Sequence, residues 1–96
     1  MGEDRIGAIS DLLGRAEEAH GAYETSELGG VYDRDWARWY ATYVIGQGLA
    51  GMLGHEVEEG DVERVLVEAY GEYERLGPEP GEAWTAYVAR RIDSAL

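Results

Sequence analysis

The apolar positions of the chain recur with helical spacing from its start. Residues seven positions apart lie two turns apart on the same side of an α-helix. Two such rows form one apolar stripe: Ile6, Leu13 and His20, and Ile9, Ala16 and Tyr23. The pattern predicts a helix over residues 4–24 or a little beyond. It should end at Leu28-Gly29-Gly30, because glycine is common directly after a helix C-terminus.

A second helix is predicted from four large aromatic residues with spacings of three and four: Trp36, Trp39, Tyr40 and Tyr43. Asp33 or Asp35 is its expected N-cap, since an aspartate side chain accepts a hydrogen bond from a free backbone N–H. The helix is expected to end near Gln47. The glycine-rich stretch that follows is expected to form a short helical turn or to cover the end of the bundle. It is also the best candidate for a mobile segment.

Two more helices are predicted in the second half of the chain. Asp61 is the expected N-cap of the third helix, whose apolar face consists of Val62, Val65, Leu66, Ala69, Tyr73 and Leu76. Gly77-Pro78 ends this helix, and Pro80 opens the fourth, because proline is tolerated in a first turn. The inward face of the fourth helix consists of Trp84, Tyr87, Val88, Ile92 and Ala95. No segment alternates with a period of two, so no sheet is predicted.

The two halves of the chain share a sequence pattern. Residues 17–24 and 67–74 are identical at five of eight positions, and each copy precedes a segment that starts with tryptophan. Two copies of one helical unit indicate an internal repeat. We therefore predict an all-α fold, a four-helix domain over residues 1–96 built from two similar antiparallel helical hairpins. The first repeat covers residues 4–47, the link 48–60 and the second repeat 61–96.

The charge of the chain restricts its partners. It has 20 acidic and 8 basic residues, a formal net charge of −12, and every basic residue is arginine. Nucleic acids and anionic membranes are bound mainly through Lys and Arg, so we expect neither as a partner. The acidity indicates a well-solvated surface, and the alternative is an inhibitor that mimics nucleic acid. The charged start and the lack of an apolar run of about 18 residues predict a cytoplasmic protein.

One spacing on the first helix is also found in metal-binding helices. Glu17 and His20 form a Glu-x-x-His pair, and Glu24 lies further along the same face. Four-helix di-iron proteins carry such a pair on each of two helices. At the repeat offset, Val67 and Tyr70 replace Glu17 and His20, so one chain has half of the ligand set and a homodimer would have to complete it. The alternative is a histidine at the edge of the core that has a hydrogen-bond partner.

The end of the first helix and the start of the second should lie side by side, because the turn between them reverses the chain. The candidate ligand-binding residues at this end of the hairpin are His20, Tyr23, Glu24, Asp33, Asp35, Trp36, Trp39 and Tyr40. The same residues fit two other roles. One is an acid/base enzyme centred on His20, with Asp33 or Asp35 orienting the imidazole. The other is a structural cluster whose buried polar tips satisfy one another.

We expect a non-catalytic binding or self-associating protein with no cofactor. The glycine motif Gly46-x-Gly48-x-x-Gly51 follows a helix rather than a strand, so it does not indicate a dinucleotide site. Aromatic side chains that a small domain cannot bury tend to form contacts, which predicts a homo-oligomer. A small molecule or a protein is the expected partner. The candidate contact surfaces are the aromatic face of the second helix and a stripe of glycines on the first: Gly7, Gly14 and Gly21.

Three motifs lie close together in the first half of the chain: His20-Gly-Ala-Tyr23-Glu24, Leu28-Gly29-Gly30-Val31-Tyr32-Asp33 and Asp35-Trp36-Ala-Arg-Trp39-Tyr40-Ala41. In these motifs the chain resembles a family of small bacterial proteins for which no activity is established. The similarity covers most of the chain and is densest over residues 16–44. The resemblance implies a compact helical fold and no particular reaction.

Overall fold

The computed structural model describes residues 2–30, 35–76 and 83–96. Within these ranges the only regular elements are five α-helices: α1 (Gly2–Glu27), α2 (Trp36–Gly46), α3 (Leu49–Leu53), α4 (Glu59–Leu76) and α5 (Trp84–Ala95). The all-α prediction is confirmed, and the short helix α3 lies in the glycine-rich link between the predicted halves. None of the helices in these ranges is long and apolar enough to cross a membrane.

The core forms where the apolar faces of all five helices meet. α1 packs most extensively on α5, α2 packs on α4, and α4 packs on α5, whereas α3 contacts α1 and α2. The largest completely buried side chains are Ile9, Leu12, Leu13, Val44, Leu49, Val62, Leu66, Val88 and Ile92. Burying one such side chain contributes about 1.5–3 kcal/mol. This core therefore holds in place the helices that carry the candidate site.

The predicted apolar faces of α4 and α5 are covered over their middle turns but not at their ends. Leu76 is 50% exposed and Ala95 is exposed as well, although the helical spacing predicts both inside. They lie in the last turns of α4 and α5. A periodic stripe shows which side of a helix is apolar, but it does not show how far along the helix the neighbouring helices extend.

Two predicted helix starts need correction. α4 begins at Glu59, two residues before the predicted N-cap, so Asp61 lies inside its first turn. There the carboxylate still interacts favourably with the partial positive charge of the helix N-terminus. Asp35 occupies the N-cap position of α2, but its side chain makes no capping hydrogen bond. α5 begins at Trp84, directly after Ala83 in extended conformation, which is later than the start predicted at Pro80. Pro80 itself and Asp33, the other candidate cap of α2, lie outside the described residues.

The C-terminus of α1 is closed by glycine. The backbone N–H groups of Leu28 and Gly30 both donate to the carbonyl oxygen of Glu24, at 3.2 and 2.8 Å. Gly29 and Gly30 have φ angles of 62° and 84°, in the left-handed region that glycine adopts without a clash at Cβ. The helix thus ends within two turns of His20.

The glycine stripe of α1 is open. A Cβ placed on Gly7, Gly14 or Gly21 would meet no atom within 4 Å. Among the described residues, no other helix therefore packs closely against these glycines. The stripe stays a candidate only for contact with a second molecule.

Candidate functional site

Four aromatic side chains from three helices form a closed cluster, which we call the four-ring cluster. Trp36 and Tyr40 come from α2, Tyr70 from α4 and Trp84 from α5. The centroids of neighbouring rings are 5.8 Å apart for Trp36–Tyr40, 5.8 Å for Tyr40–Trp84, 5.9 Å for Trp84–Tyr70 and 5.4 Å for Tyr70–Trp36. The interplanar angles run from 65° to 87°. This is the edge-to-face arrangement that aromatic pairs favour.

The cluster results from helix periodicity combined with helix packing. Trp36 and Tyr40 are four residues apart, so they are neighbours on the surface of α2. α2 packs on α4 and α4 packs on α5, which brings Tyr70 and Trp84 to the same place. The indole Nε1 of Trp84 donates a hydrogen bond of 2.9 Å to Oε2 of Glu17 on α1. All four long helices therefore meet at the four-ring cluster.

His20 packs against this cluster from α1. The residue is only 7% exposed. The centroid of its ring lies 5.1 Å from that of Tyr40 and 4.9 Å from that of Trp39, and the ring stacks on Tyr23 at 6.1 Å. Its Nδ1 atom lies 3.8 Å from Oε1 of Glu24. That separation is too long for a direct hydrogen bond but allows an ion pair when the imidazole is protonated.

A cavity of about 230 Å³, which we call the central cavity, opens between α1, α2, α4 and α5. Its lining side chains are Glu17, His20, Glu24, Trp36, Tyr40, Tyr70 and Trp84. The wall that α1 provides carries two carboxylates and an imidazole. The walls that the other three helices provide consist of the four-ring cluster. The space is therefore bounded by aromatic rings on several sides and by acidic groups on one.

The two glutamates make the central cavity electronegative. Burial raises the pKa of Tyr40 far above its ordinary value of 10.0, and the negative charges of Glu17 and Glu24 raise it further, as does Tyr70. Only 6% of Tyr40 is exposed. Its hydroxyl therefore stays protonated across the physiological pH range, because losing the proton would add a third negative charge to a poorly solvated space.

A second space, which we call the outer hollow, is larger, at about 440 Å³. It is lined by Tyr23, Asp35, Arg38, Trp39, Thr42 and Tyr43. The rings of Trp39 and Tyr43 stack there, with centroids 5.3 Å apart and an interplanar angle of 11°. All of its lining residues except Tyr23 belong to α2 or directly precede it. The outer hollow thus lies along one helix, whereas residues of four helices line the central cavity. Both spaces are open to solvent.

The structure divides the predicted ligand-binding residues between the two spaces. The central cavity receives His20, Glu24, Trp36 and Tyr40. The outer hollow receives Tyr23, Asp35 and Trp39. Asp33 lies outside the described residues. His20 connects the two groups, because its ring contacts Tyr40 on one side and Tyr23 and Trp39 on the other.

Sequence reasoning missed two residues of the central cavity, Tyr70 and Trp84. Tyr70 occupies the repeat position of His20, and Trp84 leads the second tryptophan segment as Trp36 leads the first. The repeat was therefore the signal that could have found them. A residue at the matching position of the predicted repeat is itself a candidate site residue.

The geometry gives the metal hypothesis no support. In residues 2–30, 35–76 and 83–96, no three His, Asp, Glu or Cys side chains form a group that could hold a metal ion. The carboxylate of Glu17 accepts the indole N–H of Trp84, and Glu24 lies beside Nδ1 of His20. The three predicted ligands, Glu17, His20 and Glu24, do not converge on one point.

Comparison with known proteins identifies no relative. No protein-family model matches the chain, and no significant match was found among curated proteins or among solved structures. The resemblance to a family of small bacterial proteins stays a prediction. The functional argument therefore depends on the fold and on the central cavity: a small helical protein in which aromatic and acidic side chains surround one space.

Proposed function

We propose that the chain is a non-catalytic binding protein that holds a small molecule in the central cavity. The observation that carries this proposal is the four-ring cluster, whose four members all line one space together with residues of α1. Aromatic walls with a few polar groups are typical of ligand sites. Pockets for drug-sized ligands have volumes of about 300–1,000 Å³. A cavity of about 230 Å³ suits a smaller molecule.

Binding has more support than acid/base catalysis. Asp35, one of the two predicted orienting groups, lines the outer hollow instead of the central cavity. The carboxylate of Glu24 is 3.8 Å from His20 and shares the cavity with a second carboxylate and four aromatic rings. Such surroundings favour holding a ligand over moving its protons.

We infer that the central cavity lies at the junction of two repeated hairpins. Under the repeat, α1 corresponds to α4 and α2 to α5. The two most extensive interfaces are α1 with α5 and α2 with α4. The repeat makes these two interfaces equivalent to each other. The pairs His20/Tyr70 and Trp36/Trp84 are equivalent positions, and all four residues line the same cavity. Both observations support an approximate twofold relation between two antiparallel helical hairpins, with the ligand near its axis.

Thermal-shift measurements with a chemically diverse set of small molecules test the proposed function. A ligand at 100 times its Kd stabilises the folded state by about 2.7 kcal/mol. We expect at least one compound to raise the Tm of the wild type and of Tyr43→Ala, but not that of Tyr70→Ala. The two variants are matched, because each removes a half-buried tyrosine ring, one in the outer hollow and one in the central cavity. The proposal would be contradicted if no compound raised the Tm of the wild type. It would also be contradicted if the Tm shift were lost in Tyr43→Ala and kept in Tyr70→Ala.

Self-association is a second candidate function, favoured by the outer hollow. Trp39 and Tyr43 stack there and are only partly buried, and aromatic residues are enriched at protein interfaces. Trp36 and Tyr40, predicted as part of the same face, belong to the four-ring cluster and leave the stacked pair to make contacts. Light scattering at micromolar protein should give a dimer mass that falls to the monomer mass in Trp39→Ala. A wild-type monomer would exclude this function.

A further inference from the structure

The central cavity combines two kinds of groups that favour the same ligand charge. Glu17 and Glu24 are seven residues apart on α1, which places them about 10 Å apart along one side of the helix. His20 lies between them. The remaining walls are the rings of the four-ring cluster. Aromatic faces carry partial negative charge and attract cations, and the carboxylates carry full negative charge.

Positive protein groups are scarce in this space. None of the lining side chains that the structure describes is an arginine, and His20 is the only one that can become cationic. The chain as a whole carries a net charge of −12, which concentrates cations around it and steers them towards acidic sites. A ligand cation would thus be attracted both at long range and within the cavity.

The hydrogen-bonding capacity of the walls narrows the class of cation. The strong acceptors of the lining are the carboxylate oxygens of Glu17 and Glu24 on the α1 wall, one of which accepts the indole N–H of Trp84, and the hydroxyls of Tyr40 and Tyr70. The ring faces offer no strong acceptors. A primary ammonium has three N–H donors that need acceptors. A methylated ammonium has fewer or none, and its methyl groups pack on ring faces. The carboxylates lie on one wall and the rings form the others, so a methylated ammonium uses the whole lining, whereas a primary ammonium or a bare metal ion would use the polar groups alone.

We propose that the ligand of the central cavity is a small organic cation with a methylated ammonium group, held by the rings of Trp36, Tyr40, Tyr70 and Trp84 and by the carboxylates of Glu17 and Glu24. This inference rests on the proposed function, since it specifies the ligand of the same cavity. The rings surround the methyl groups, and the carboxylates balance the charge. Contact with the aromatic walls replaces part of the water around the cation, which strengthens both attractions.

Calorimetric titration of the wild type with choline and with 3,3-dimethylbutan-1-ol tests the role of the charge. The two probes have the same shape, but a neutral carbon replaces the ammonium nitrogen in the alcohol. We expect choline to bind about tenfold more tightly or better and to change the tryptophan fluorescence. Equal affinities for choline and the alcohol would contradict a cationic ligand but would still support a small-molecule site in the central cavity. If neither probe binds, the proposal of a cationic ligand is also wrong. The proposed small-molecule binding is tested separately by the thermal-shift screen.

Ethanolamine tests the methyl groups, because it is the primary-amine counterpart of choline. We expect weaker binding of ethanolamine than of choline. Tighter binding of ethanolamine than of choline would contradict a methylated ligand. It would indicate instead a primary ammonium held by the carboxylates alone.

Two variants locate the site. Glu17→Gln removes a charge but keeps an oxygen that accepts the Trp84 indole N–H, and Glu18→Gln removes the same charge from a neighbouring residue outside the central cavity. Choline affinity should fall several-fold in Glu17→Gln and change little in Glu18→Gln, with the affinity of the alcohol unchanged in both. Equal losses of choline affinity in the two variants would assign the effect to net charge and overturn the proposed site.

Discussion

The indole of Trp84 and the carboxylate of Glu17 join the last helix to the first through a hydrogen bond of 2.9 Å across 67 residues of sequence. This contact links α5 to α1 in the wall of the central cavity. It also gives a direct way to measure how the cavity wall contributes to the stability of the fold.

We predict that Trp84→Phe lowers the free energy of unfolding by about 1 kcal/mol, beyond any loss of ring packing. A hydrogen bond to a charged group contributes about 1.5–3 kcal/mol when buried, and the value is smaller here because Glu17 is exposed. Urea denaturation of Trp84→Phe, Glu17→Ala and the double variant isolates the contact in a double-mutant cycle. Strict additivity of the two single changes would show that the hydrogen bond contributes nothing to stability.

The two histidines should respond differently to truncation. His20 is 7% exposed and packs on several rings, so His20→Ala should cost about 1–3 kcal/mol of stability through lost contacts and unsatisfied neighbours. His55 is exposed, so His55→Ala should change stability by less than about 0.5 kcal/mol. Urea denaturation at neutral pH compares the two variants. If His20→Ala were as stable as the wild type, the packing of His20 on the neighbouring rings would not contribute to the stability of the fold.

We predict that Tyr40 makes the protein lose stability at alkaline pH. Its pKa is raised by burial and by Glu17 and Glu24, so the unfolded chain releases this proton at a lower pH than the folded chain does. The stabilising effect of the neutral phenol is complete below the ordinary value of 10.0. Above that value, the wild type should lose about 1.4 kcal/mol per pH unit relative to Tyr40→Phe. Denaturation of both proteins from pH 8 to 11 provides the measurement, with Tyr43→Phe from the outer hollow as control.

Glu72 should contribute the opposite pH dependence on the acid side. It accepts hydrogen bonds from Nε and Nη2 of Arg91, at 2.8 and 3.2 Å, and from the hydroxyl of Tyr87, at 3.1 Å. The bonds from Arg91, and then that from Tyr87, lower the pKa of Glu72 below its ordinary value of 4.5. The stabilisation is therefore present above that value and is lost as the pH falls through the pKa of the folded state.

Thermal denaturation from pH 3 to 7 tests the prediction for Glu72. The wild type should exceed Glu72→Gln in Tm near neutrality, and the difference should shrink in the acid range. Glu74→Gln, which changes an exposed glutamate on the same helix, is the control. A difference between wild type and Glu72→Gln that stayed constant with pH would show that the charge of Glu72 has no role.

The sequence by itself determined the helices, because apolar periodicity is a local property. The stripe of Ile9, Leu13 and Ala16 is buried in α1, and a short helical turn at Leu49–Leu53 was one of two alternatives predicted for the glycine-rich stretch. The start of α4 was placed three residues late, because an N-cap at Asp61 makes Val62 the first helical residue, whereas α4 begins at Glu59. Glu58 and Glu59 lie close before Asp61, and helical periodicity does not specify which of these acidic residues begins the helix.

Most of the lining of the central cavity was also accessible from the sequence, and only Tyr70 and Trp84 were missed. His20 and Glu24 lie near the end of α1, and Trp36 and Tyr40 at the start of α2, so a short connection brings them together. The spacing of three and four also placed Trp39 and Tyr43 on the same face. Trp36 and Tyr40 line the central cavity, and Trp39 and Tyr43 line the outer hollow. The spacing shows only that the four side chains share one side of α2, and the helices that pack on α2 determine which of them are covered.

Only the tertiary structure brought Tyr70 and Trp84 into the central cavity. Trp84 lies far along the chain from Glu17 and Tyr40, and no local pattern specifies which faces of α2, α4 and α5 meet. That choice depends on how all the apolar faces can be buried at once, since hydrophobic burial is non-directional and is satisfied only by the whole assembly. The cavity, the charges around it and the ligand class proposed for it are consequences of that packing.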